Sequence, residues 1–400
     1  MNGTHTSLIK PTRKCLDCQS EIEETLKFCE QCGAPRKSRY YEVDAVRSAA
    51  LILLITYHII VSFDTGMREL GFIVHSSDGA VQIIQLLSQA LNIWRIPILF
   101  VTAGMAVSFS LERRTMGAFI KERSRRLILP LIFGSLTLVP LGLVISNFYY
   151  GKTLEYIPNP GYLWFVVDIV VIIFLLIPLF IYIKNRPDGI ILKFMRRLFN
   201  IPGGVIIVFA LPMMLVAGII NTECYPCFFN FVLIDNPHGT LIAVVCILMG
   251  FIFIRSGIRF WNSVRKLKYI CLLMAIVLYI LRMVILSPTW DEGNARLPLL
   301  VINLLTAFES VNWMLAALGL ASAFLNKRKK LLTYMTNAVY PMYMVHLPLQ
   351  FYLSTLIFAL PVAPFGKLVV LVILNVGACL ISYEVIKRIR WVRVLFGMKP

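Results

Sequence analysis

Trp164-Phe-Val-Val-Asp168-Ile-Val-Val-Ile-Ile-Phe-Leu-Leu-Ile-Pro178-Leu-Phe-Ile-Tyr-Ile183 is interrupted by one charge and one proline. A helix of about 20 residues rises roughly 30 Å, the hydrocarbon thickness of a bilayer. Its apolar residues cover every face rather than one stripe, so it needs apolar surroundings on all sides. Comparable runs flank it, giving ten apolar segments at about 46–64, 82–110, 127–149, 162–183, 202–220, 239–254, 270–287, 298–324, 332–358 and 367–386. The composition agrees: 58% of residues are hydrophobic and 15% charged, whereas soluble domains carry about 25% charged residues. Several soluble domains in 400 residues are therefore excluded. The fold class expected is all-α, a polytopic membrane protein with about ten transmembrane helices, preceded by a small cytoplasmic zinc ribbon. The second segment exceeds one span and carries Arg95 ahead of Pro97, so it should begin with a broken or interfacial turn.

The opening MNGTHTSLIKPTRKC has no continuous apolar core and no small-residue cleavage site, so no cleaved signal peptide is expected. With the N-terminus placed inside, 33 of the 39 Lys and Arg fall in inner stretches. Only Arg68, Lys152, Arg296 and Lys367 fall in outer loops, while Arg95 and Arg282 lie within spans. This asymmetry predicts a multi-pass protein with both termini cytoplasmic, and the membrane expected is the bacterial cytoplasmic (inner) membrane. The net charge of +18 then records orientation and attraction to anionic lipid of the bilayer, and implies no nucleic acid.

Residues 1–39 are polar and contain Cys15-Leu-Asp-Cys18 and Cys29-Glu-Gln-Cys32-Gly33. Two such knuckles can set four thiolates tetrahedrally around one Zn²⁺. A disulfide pair or free thiols is the alternative, and cytoplasmic placement argues against structural disulfides. Four Cys ligands leave no open coordination position, so the site is expected to be structural. The domains expected are a cytoplasmic zinc ribbon and linker over 1–39 and a transmembrane domain over 40–400. Cys224-Tyr-Pro-Cys227 falls in an outer loop, where a disulfide is permitted. Cys246, Cys271 and Cys379 read as packing residues.

A charge in hydrocarbon costs about 3 kcal/mol or more, so intramembrane ionisable groups mark function unless they form buried structural pairs. Asp44, Arg47 and His58 share a face of the first segment, with Arg47 at the cytoplasmic mouth and His58 about 16 Å further out by helical rise. Arg95, Asp168 and His346 come from three other segments and approach the depth of His58. Arg282 and Glu309, opposite in charge and similar in depth, read as a structural pair. On the cytoplasmic side Arg123, Arg125 and Arg126 precede Leu127 and Pro130, with Arg123 and Arg126 facing the same way. Guanidinium forks suit phosphate, although positive-inside charge alone accounts for such a cluster.

Several motifs in order resemble the acyltransferase 3 family of membrane proteins over about 40–397. They are Val43-Asp44-Ala-Val-Arg47 with Tyr57-His58, Trp94-Arg95-Ile-Pro-Ile-Leu-Phe-Val-Thr-Ala-Gly104, Arg123-Ser-Arg-Arg126-Leu-Ile-Leu-Pro130, Leu163-Trp164-Phe165 and Tyr343-Met-Val-His346-Leu-Pro348. The resemblance implies transfer of an acyl group, succinyl or acetyl, from cytoplasmic acyl-CoA to an extracytoplasmic carbohydrate. It matches His58 to the family's essential histidine, Arg47 to its partner, and Arg123 and Arg126 to its paired arginines. His58 would then act as general base, with Asp44 and Arg47 on its helix face. Asp168 or His346 would orient it or the acceptor, and Arg95 would meet an oxyanion or a free carboxylate. A covalent acyl-histidine step stays open beside direct transfer. Thr102-Ala103 stands where the family commonly has Ser before the glycine, and the zinc ribbon, which could dock a protein partner, is not part of the usual core. Two rival readings remain: a secondary transporter, which would show inverted repeats, and a regulatory membrane protein docking through the ribbon.

Overall fold

A computed structural model describes residues 12–14, 21–23, 40–220, 237–286 and 298–398. Strands β1 (Thr12–Lys14) and β2 (Glu21–Glu23) pair antiparallel, Thr12 opposite Glu23 and Lys14 opposite Glu21. They flank the first Cys-x-x-Cys in sequence. The four cysteines 15, 18, 29 and 32, like Cys224 and Cys227, lie outside the described residues.

The rest is helical: α1 (Tyr41–Val61), α2 (Gly79–Asn92), α3 (Arg95–Arg113), α4 (Met116–Arg123), α5 (Leu129–Leu136), α6 (Leu138–Tyr149), α7 (Trp164–Asn185) and α8 (Ile190–Asn200), then α9 (Gly204–Leu215), α10 (Pro237–Arg255), α11 (Ile258–Leu286), α12 (Leu299–Phe324), α13 (Lys330–Ile357), α14 (Pro364–Ile386) and α15 (Arg390–Leu395). Among the described residues, eight helical stretches are long and apolar enough to cross a bilayer. The expected ten segments are all helical, but two fall outside that set. The α9 stretch is short, and the 28 residues of α13 carry polar side chains and two prolines that dilute their apolarity.

Polarity sorts the helices into layers. Much of α1, α3, α10 and α12 is buried, while α7, α11 and α14 present apolar residues such as Leu175, Leu273 and Ile373 outward. The inner helices carry what hydrocarbon cannot solvate: Arg95, Thr102 and Ser108 on α3, and Asn303, Thr306, Glu309, Ser310 and Asn312 on α12, all buried. Small residues let the inner backbones touch. A Cβ on Gly104 of α3 would stand 1.9 Å from the Ile247 carbonyl oxygen, and one on Gly250 of α10 would stand 2.0 Å from that of Val101. The ends of the same two helices are tied by Arg255 and Glu112, 2.5 Å apart.

Arg282 and Glu309 do pair, at 2.7 Å, with Trp313 Nε1 donating to Glu309 at 3.2 Å and Arg282 donating to the Gln89 carbonyl at 3.2 Å. The pair fastens α11, α12 and α2, a structural role.

The expected break in the second segment is larger than a turn. Residues 79–92 form the separate helix α2, whose N-terminus Asp78 caps through Val81 N–H at 2.9 Å. That bond holds the Asp78 carboxyl below the usual range. Helix α3 restarts at Arg95, with Pro97 in its first turn, where a missing N–H breaks no helical bond.

Candidate active site

The site grows from one proline of α13. Pro348 has no N–H to offer the Met344 carbonyl, and that carbonyl accepts instead from the Tyr162 hydroxyl. Tyr343 returns the contact, its hydroxyl donating to the Tyr162 carbonyl at 2.6 Å. The turn Gly161–Leu163 ahead of α7 is thereby locked to α13 where residues 341–348 are all buried.

His346 occupies the next exposed-to-nothing position on that helix and meets α1. His58 Nδ1 lies 2.9 Å from His346 Nε2, with ring centroids 5.1 Å apart and planes inclined by 17°. The other ring nitrogen of His346 lies 2.6 Å from the Tyr343 carbonyl oxygen. Gln350, one turn along α13, donates to the His58 carbonyl at 2.8 Å and to the Ser62 hydroxyl at 2.7 Å. Helix α13 therefore holds both the ring and the backbone of His58. His346 is fully buried, whereas His58 keeps part of its surface accessible.

Arg95 supplies the charge beside them. Its guanidinium carbon sits 3.5 Å from the centroid of Tyr57, the residue before His58. Arg95 is buried, and among the described residues its Nε and Nη1 have no hydrogen-bond partner. A buried, partly unsatisfied guanidinium beside an accessible imidazole can receive an anion that develops as the imidazole takes up a proton.

Toward the N-terminal end of α1 two pockets adjoin through shared walls. One, of about 130 Å³, is lined by Tyr40, Asp44, Arg47, Thr102, Phe109 and Arg113 among others. The second, of about 100 Å³, takes in Arg47, Thr102, Ala103, Arg123, Phe165 and Tyr343. It is polar at Arg47 and Arg123 and apolar toward Phe165. Tyr343 is also part of its lining, and the Tyr343 ring lies 5.6 Å from that of His346, inclined by 26°. One tyrosine thus touches both the arginine pocket and the imidazole pair.

The candidate residues therefore separate into groups. His58, His346 and Arg95 converge. Asp44 and Arg47 line the pockets at the other end of α1 from His58, in keeping with the helical rise counted between them. Asp168 is buried on α7, and neither imidazole hydrogen-bonds to it. The three arginines also part. Arg123 lines the pocket, with Nη2 donating to the Ala106 carbonyl at 3.1 Å. Arg126 instead lies 3.4 Å from Glu122, which also binds Arg114 at 2.8 Å, and Arg125 is exposed. The expected shared face of Arg123 and Arg126 assumed an α-helix. Residues Ser124–Ile128 form a π-helical turn, whose wider winding turns Arg126 away.

Tyr162 and Gln350 were not singled out from the sequence, and Tyr343 was named only within the motif that holds His346. Pro348 was the available signal, since a proline inside a buried helix frees a carbonyl that some donor must satisfy. Thr102 and Ala103, the departure from the family pattern, lie in the arginine pocket and away from the imidazoles.

The model of the acyltransferase 3 family, described as an acyltransferase domain, matches residues 40–384, which include His58, Arg95, Arg123 and His346. Comparisons with curated proteins and with solved structures return no match.

Proposed function

The chain belongs to the acyltransferase 3 family, and from that premise we propose that it moves a succinyl or acetyl group from cytoplasmic acyl-CoA to a hydroxyl of an extracytoplasmic glycan. It is a multi-pass membrane acyltransferase. The finer reading rests above all on Tyr343, which both lines the arginine pocket and stacks against the His346 ring. A donor with a phosphorylated head and a slender arm has matching chemistry along that path. Arg47 and Arg123 take the phosphates, with Asp44 and Arg113 at the polar end and Arg125 and Arg126 adding field from outside. The arm follows Thr102, Ala103 and Phe165 toward Tyr343.

His58 then accepts the proton of the acceptor hydroxyl as the hydroxyl oxygen attacks the thioester carbonyl carbon. The carbon–sulfur bond breaks, the leaving thiolate takes that proton, and the products are an ester and free CoA. Arg95 stabilises the oxyanion or the free carboxylate of a dicarboxylic acyl group. Asp168 is assigned to the acceptor side. The positive-inside asymmetry supports cytoplasmic termini in a bacterial inner membrane, which puts the arginine pocket on the side where acyl-CoA is made.

Likeness of the closing Tyr383-Glu384 and Leu395-Phe396-Gly-Met-Lys399-Pro400 to glucans biosynthesis protein C supports a cell-envelope glycan as acceptor. Cys15, Cys18, Cys29 and Cys32 are assigned one structural Zn²⁺ in a ribbon over 1–39 that offers a docking surface to a protein partner. The deciding experiment is calorimetric titration of the detergent-purified protein with acyl-CoA, followed by mass spectrometry of extracytoplasmic glycans from cells with and without the protein. Binding and an acyl mass difference are expected. Absence of binding refutes the donor assignment, and unchanged glycans refute the acceptor.

A further inference from the structure

We propose that His346 is a positioning residue that, with the backbone carbonyl of Tyr343, keeps the proton of His58 on Nδ1 and leaves Nε2 as the basic nitrogen of the site. The proton placement rests on geometry alone, and its consequence for catalysis rests on the acyl-transfer reading.

The argument starts at the far end of the hydrogen-bonded row. A carbonyl oxygen can only accept, so the 2.6 Å contact between His346 Nδ1 and Tyr343 O requires the hydrogen on Nδ1. A neutral imidazole carries one ring hydrogen, so His346 Nε2 then holds a lone pair. At 2.9 Å it faces His58 Nδ1, which must donate. His58 therefore carries its hydrogen on Nδ1, and its lone pair is left at Nε2. An imidazolium at His346 would reverse the second bond. That state would put a cation at a fully buried position, and among the described residues neither imidazole is hydrogen-bonded to a carboxylate that could offset it.

This placement does for His58 what a buried carboxylate does for the histidine of a hydrolase triad: it selects the tautomer and aims the ring. There is one difference. His346 is neutral, so it orients His58 and spreads the charge that forms without becoming the proton's destination. During transfer the acceptor proton goes to His58 Nε2 and from there to the leaving thiolate, while both Nδ1 hydrogens stay in place. Gln350 fixes the backbone of the same residue through the His58 carbonyl at 2.8 Å, so the ring is held at both ends.

The test uses the full chain in detergent with three variants. His346→Gln can reach His58 with a carboxamide oxygen and still accept. His346→Asn is too short to do so, and His346→Leu offers no acceptor. All three should bind acyl-CoA with a dissociation constant within about twofold of the parent. In Leu and Asn the turnover number should fall by about 10²- to 10⁴-fold, the range expected when a base loses its tautomer partner, with KM for acyl-CoA unchanged. Gln should recover at least about tenfold over Leu. Nitrogen-15 spectra of histidine-labelled protein, with the His58 signals identified from His58→Asn, should show its hydrogen on Nδ1 in the parent and lose that preference in His346→Leu. A hydrogen on Nε2 in the parent, or near-parent turnover in His346→Leu, overturns the proposal. Correct proton placement in a protein that neither binds acyl-CoA nor transfers an acyl group would instead refute the acyl-transfer reading and leave the positioning intact.

Discussion

Replacing Arg123 and Arg126 one at a time separates two readings of a motif that looks uniform in sequence. Arg123 lines the pocket and its Nε has no partner, so a bound phosphate gains charge-assisted bonds there. Such bonds contribute about 1.5–3 kcal/mol each, which converts to roughly 12- to 150-fold in affinity. Arg126 is engaged by Glu122 at 3.4 Å, and its side chain is 39% exposed. An exposed ion pair contributes about 0–1 kcal/mol, so its loss changes acyl-CoA affinity by no more than a few-fold, through the screened field alone. Arg123→Ala is therefore expected to raise the dissociation constant at least about tenfold, and Arg126→Ala no more than about threefold. Arg123→Lys keeps the charge but loses the fork, and should fall between. Isothermal titration of each purified variant with acyl-CoA reads the difference, with thermal unfolding in the same detergent as a check that the bundle survives losing the bond to Ala106. Equal weakening by the two alanine variants would refute the assignment of the pocket to Arg123, and an unchanged constant in Arg123→Ala would return both residues to positive-inside charge.

His58→Ala should abolish acylation while the protein elutes and melts like the parent; near-normal product by glycan mass spectrometry would remove His58 from the chemistry. Glu309→Ala leaves Arg282, whose side chain is only 10% exposed, without its carboxylate and should cost about 3 kcal/mol of stability. Replacing both partners, as in Arg282→Met with Glu309→Leu, should cost clearly less, and thermal unfolding that ranks them the other way would contradict the structural reading of the pair. Metal analysis should find one zinc per chain, lost in Cys15→Ser or Cys32→Ser, while deletion of residues 1–36 should leave transfer by the purified protein intact. A truncated protein that binds acyl-CoA without transferring the acyl group would make the ribbon part of the catalytic machinery.

Length of apolar run, charge asymmetry and isolated intramembrane charges are one-dimensional properties, and they were enough to establish a helical membrane protein. Desolvation penalises a polar group wherever it stands in a span, so His58, Arg95, His346 and the Arg282–Glu309 pair could be picked out before any contact was known. The motif order around them was equally legible, and it led to the acyltransferase 3 family. What the sequence could not carry was rotation and partner choice. The π turn at Ser124–Ile128 depends on how the chain winds between α4 and α5, and Arg126 beyond its start pairs with Glu122 while Arg123 lines the pocket. Depth counted in residues placed Asp168 as near to His58 as His346 was. Only the packing of α1 against α13 decided that His346 is the one within hydrogen-bond reach. The tie between Tyr162 and α13 likewise depends on Pro348 lying where residues 341–348 are all buried, so that the Met344 carbonyl it frees must find another donor. The sequence by itself determined which residues were too costly to bury without purpose; the tertiary structure decided which of them meet, because hydrogen bonds depend on angle and distance and a linear spacing specifies neither.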